Sequence, residues 1–86
     1  MQESFIWKGM KLETPATYRI LVQGSLDQAW SDRLGGMAIT TQSKGNDSPV
    51  TALTGRLQDQ AALSGVLNSL YDLHLPILKV EMLGLE

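Results

Sequence analysis

The chain contains no cysteine. Disulfides, thiolate nucleophiles and cysteine-ligated zinc are excluded together, and a cytoplasmic location is the expected one. Histidine occurs once, at His74. It has no thiol partner and no serine in a nucleophile motif, so no general-base constellation forms around it. Basic charge is scarce and scattered. Seven Lys and Arg stand against nine Asp and Glu, for a net charge of −2. Lys8, Lys11, Arg19, Arg33, Lys44, Arg56 and Lys79 form no stripe, and phosphate neutralisation supplies most nucleic-acid affinity, so nucleic acid is not an expected partner. No apolar run approaches the roughly 18 residues of a membrane helix, so no membrane association is expected. Glu3 and the lack of a small-residue cleavage motif give no sign of a secretory leader.

What remains is the composition of a folded domain. Hydrophobic residues make up 43% of the 86 residues, too many for a disordered chain. The length allows one domain with a modest core.

Residues 1–16 stand apart. Phe5, Ile6 and Trp7 form a short apolar cluster flanked by Glu3, Lys8 and Lys11, and Gly9 and Pro15 interrupt any regular pattern. An N-terminal extension is expected here, either flexible or an added edge strand, ahead of a domain at 17–86. Thr17–Gln23 alternates with period two and predicts a strand. Ser25 followed by Gln28 has capping-box spacing. Leu26, Ala29, Trp30 and Leu34 then make one helical stripe, closed by Gly35-Gly36. Met37–Gln42 and Val50–Leu57 predict a strand pair around the turn-rich segment Ser43–Pro49. Asp59 is a good N-cap for a helix whose face is Leu63, Val66, Leu67 and Leu70. That helix ends near Leu73. His74 stands where glycine commonly terminates a helix, and Pro76 bars continuation. Ile77–Leu83 predicts the last strand, with Leu78, Val80 and Met82 inward.

The order β-α-β-β-α-β is the split-βαβ arrangement. The expected fold class is α+β: a ferredoxin-like two-layer sandwich with a four-stranded antiparallel sheet, order 4-1-3-2, and two helices on one face. Two similar strand-to-helix junctions, at Gly24–Ala29 and Gly55–Ala61, agree with its pseudo-two-fold symmetry.

Four pieces carry a family resemblance: Y-R-I-L-V-Q-G-S-L-D (18–27), W-S-D-R-L-G-G (30–36), L-T-G-R-L-Q-D-Q-A-A-L (53–63) and L-P-I-L-K-V-E (75–81). They resemble a family of short bacterial proteins of unassigned function, over about three quarters of the chain. The resemblance implies the ferredoxin-like fold and no activity. Members usually carry glycine where this chain has His74, and residues 1–16 lie outside it. The stretch from Asp59 to Val80 also looks like the helix-to-strand unit of ACT-type regulatory domains, which bind amino acids. The glycine of that family's ligand-facing turn is missing here.

No catalytic, metal or cofactor residue is assigned. Asp27 and Asp59 belong at helix starts for capping, Asp32 lies on a solvated part of the first helix, and no known ligand spacing is present. The candidates are for interaction. Strand alternation puts Arg19, Leu21, Lys79 and Glu81 on the open sheet face, together with Gln23, Ile77 and Leu83. Trp30 is either a core residue or, beside Arg33, part of a contact surface. Gly65, with Ala62 and Ser69, makes a small-residue stripe suited to close approach by the first helix or by another subunit. Phe5, Ile6 and Trp7 would cover the open face or engage a second chain. The expected function is a non-enzymatic protein-interaction or assembly module, self-associating as a homodimer. The alternative is a small-molecule-sensing regulatory domain of ACT-like type.

Overall fold

A computed structural model describes residues 15–43 and 48–85. Strand β1 (Ala16–Gln23) shows the expected alternation, with Ala16, Tyr18, Ile20 and Val22 buried. It begins one residue earlier than its sequence pattern. Strands β2 (Ala38–Gln42) and β3 (Val50–Leu57), helix α1 (Gln60–Asp72) and strand β4 (Ile77–Leu85) follow. Every neighbouring strand pair is antiparallel. The strands lie in the order β2-β3-β1-β4, which is 4-1-3-2 counted from the other edge. The fold is therefore α+β: an open four-stranded antiparallel sheet with two helices.

The first helix differs from expectation. It is a 3-10 helix, η1, of seven residues (Gln28–Leu34). Its N-cap is Asp27, whose Oδ1 accepts from the Ala29 backbone N–H at 2.9 Å. The capping box from Ser25 does not form, because Asp27 starts the helix two residues later. Gln28 does not reach back either. Its Oε1 accepts from the backbone N–H of Ile39 on β2 at 3.2 Å. Between Asp27 and the left-handed Gly35 there remain too few residues for a stable α-helix, and 3-10 bonding suits short pieces.

Helix α1 starts as expected. The Asp59 carboxylate accepts from the Ala62 N–H at 2.8 Å, satisfying one orphan donor. Leu63, Val66 and Leu70 are buried. At the other end His74 takes φ 62°. Its N–H donates to Tyr71 O and the Leu75 N–H donates to Leu70 O, the paired bonds of a Schellman closure. A left-handed residue with a Cβ carries a cost that glycine avoids. His74→Gly is therefore expected to raise stability by about 0.5–1 kcal/mol, net of glycine's larger unfolded-state entropy. A shifted urea midpoint with unchanged slope reads it out. A lower midpoint would mean that the imidazole, whose Nδ1 lies 3.3 Å from Asp72 O, contributes more than the backbone strain removes.

One core joins the layers. Tyr18, Ile20 and Val22 of β1 and Leu53 and Leu57 of β3 pack with Leu34, Met37, Ile39, Leu63, Val66 and Leu70. Buried Thr51 is satisfied at the sheet corner. Its hydroxyl donates to Gly24 O at 2.6 Å and lies 2.7 Å from the Thr41 hydroxyl. Strand β4 takes little part. Among the described residues none of its side chains is buried, and only Met82 packs against the core.

Candidate interaction surface

The open sheet face follows from alternation. Arg19 and Glu81 are register partners on β1 and β4, and Leu21 pairs with Lys79. The Glu81 carboxylate accepts from Arg19 Nε at 2.9 Å through Oε1 and meets Lys79 Nζ at 2.8 Å through Oε2. These bonds, from Lys79 first and then Arg19, hold the Glu81 carboxyl below its usual range. Being exposed, the triad contributes orientation more than stability. The four expected residues Arg19, Leu21, Lys79 and Glu81 thus come together. With Thr40, Gln42, Val50 and Ala52 they line a shallow depression of about 320 Å³.

Trp30 and Arg33 meet on η1. Trp30 is half-buried against the core, and the Arg33 guanidinium sits 5.4 Å from its ring centroid. Trp30 thus packs against the core and also carries a cation over its ring. Gly65 does not fit a close helix approach. It is exposed, and a Cβ placed there would meet nothing within 4 Å. The stripe is therefore split: Ala62 packs against the core, while Gly65 faces solvent. Phe5, Ile6 and Trp7 lie outside the described residues.

The inward row expected on β4 is corrected by a bulge. Leu21 pairs with Lys79 but Val22 pairs with Ile77, leaving Leu78 as an extra residue. Ile77, expected on the open face, therefore stands opposite core-facing Val22. Val80 does lie opposite buried Ile20, yet the helices leave it 39% exposed. Leu78 is 52% and Leu83 48% exposed. Four of the five large apolar side chains exposed among the described residues belong to β4, with Tyr71 the fifth. This edge is the surface that alternation alone does not find. Helix η1 packs beside β2, at the opposite edge of the sheet, so no pattern in its residues signals how far β4 is covered.

No group of three or more His, Cys, Asp or Glu side chains among the described residues is placed to hold a metal ion. Among the same residues no helix is long and apolar enough to cross a membrane. Residues 17–81 match the family described as Domain of unknown function (DUF8691). No curated protein and no solved structure matches the chain.

Proposed function

The chain belongs to that family, which carries no assigned activity, and from its surface we propose a non-enzymatic interaction or assembly module that self-associates as a homodimer. One observation carries the reading: the exposed large apolar side chains concentrate on β4, a strand paired on one side only among the described residues. Apolar side chains beside an unpaired sheet edge favour association with another chain. The open face supplies polar recognition beside them, through Arg19, Lys79 and Glu81. His74 supports leaving catalysis out, since its backbone closes α1 and, among the described residues, its ring is within hydrogen-bond distance of a main-chain carbonyl, that of Asp72.

We read the fold as the ferredoxin-like sandwich. The element order and the strand order support it, with η1 standing where an α-helix is usual.

The test is the solution mass of the full chain by light scattering across micromolar concentrations. A dimer is expected. A monomer throughout would overturn self-association. It would leave the second reading, a small-molecule regulatory domain, which the 320 Å³ depression with its two cations favours. In that case amino acids should raise the melting temperature, because a ligand of the folded state stabilises that state.

A further inference from the structure

We propose that the dimer forms by antiparallel pairing of β4 with β4 of a second copy, with the two-fold axis passing at Val80. The inference rests on the self-association reading and adds an interface and a register to it.

The edge is suited to this. β4 is nine residues long, and among the described residues it pairs only with β1. Its outer backbone groups are a template for another strand. The irregularities at Leu78 and Leu83 are devices that blunt edges, but they flank the run from Lys79 to Met82 and leave it in regular register with β1.

The register follows from symmetry and charge. A continuous sheet made from two antiparallel copies of one strand has its axis normal to the sheet, so helix-side residues face helix-side residues. Centring on Val80 places Val80 against its copy and Lys79 against Glu81 of the second chain, twice over. Opposite charges directly across a pair are favourable, and like charges are not. Centring on Glu81 would set two carboxylates face to face, and centring on Lys79 would oppose two ammonium groups. Only the Val80 register, of these three central ones, is charge-complementary. It also brings the half-exposed Val80 of both copies together on the helix side, opposite the buried Ile20 of each chain. Glu81 would keep Arg19 of its own chain while gaining the second chain's Lys79.

The lack of native cysteine makes the test clean. Single variants Lys79→Cys, Val80→Cys and Glu81→Cys of the full chain are oxidised mildly and scored for covalent dimer. Directly opposed residues have Cα atoms about 4.5–5.5 Å apart, within disulfide reach. Cysteines at 79, or at 81, would lie about 8 Å from their copies in this register, beyond it. Val80→Cys is expected to cross-link at least tenfold faster than the other two. Faster linking at 79 or 81 overturns the register. A light-scattering dimer in which none of the three links overturns the β4 interface and leaves the self-association reading standing. A monomeric parent chain removes that reading and this inference together.

Discussion

Gly35→Ala lowers stability by about 2–5 kcal/mol, whereas Gly36→Ala lowers it by only about 1–2 kcal/mol. Both glycines have φ 71°, so both substitutions meet the same left-handed penalty. They differ in space. A Cβ at Gly35 would lie 2.8 Å from Leu57 Cδ2 and 3.2 Å from Val66 Cγ2, while one at Gly36 meets nothing within 4 Å. Leu57 and Val66 are themselves 2% and 3% exposed, so their methyls must shift within the core to admit it. The surplus at position 35 is therefore an overpacking cost of about 1–3 kcal/mol. It arises where the end of η1 closes over α1 and β3, the junction that ties the short helix to the core. Urea unfolding of the two variants side by side measures the difference. Equal losses would show that the contact at Gly35 relaxes freely and that the core here is looser than its burial implies.

Much of this architecture is readable in the residues. Period two in Thr17–Gln23 and the Leu63-Val66-Leu70 face point to β1 and α1 because burial is repeated there over many positions. The Arg19-Lys79-Glu81 cluster is readable for a related reason. Alternation places each of the three on the open face, and antiparallel pairing of the first and last strands brings them together. Helix η1 is harder, since Leu26, Ala29, Trp30 and Leu34 suit either an α-helix or a 3-10 helix. The outcome turns on competition between Ser25 and Asp27 for the cap, and on where Gln28 finds its partner. That partner, Ile39 N–H, is eleven residues away and belongs to another element. The bulge at Leu78 and the bareness of β4 are equally non-local. Pattern says which side of a strand is apolar, but how far two helices extend over a sheet decides whether that side is covered. The candidate surface thus moved outward, from the middle of the open face to its β4 edge.

Tyr18→Phe is expected to raise stability by about 1–2 kcal/mol at neutral pH and by more in alkali. Tyr18 is 2% exposed, and its hydroxyl has no hydrogen-bond partner among the described residues. A buried donor left unpaired costs about 1–3 kcal/mol, which phenylalanine avoids while keeping the ring between Gly55 of β3 and Met82 of β4. Burial also pushes the phenol above its ordinary pKa of 10.0. A raised value means that the folded chain holds this proton more tightly than the unfolded chain does. Stability is therefore complete below the ordinary value and drains away as pH rises through it toward the folded one. Phenylalanine has no proton to lose, so the gap between variant and parent should widen from about pH 9 upward. Urea midpoints of the two chains at neutral pH and along that alkaline range give both effects at once. A variant less stable than the parent at neutral pH would mean that the hydroxyl is bonded after all, to water or to a group outside the described residues. A gap that stays constant with pH would instead show that the ring is wetter in solution than its burial indicates. Since Tyr18 is the core residue paired with Met82, the one β4 side chain among the described residues that packs inward, such wetting would place the loosest seam of the fold beside the strand proposed to join two copies.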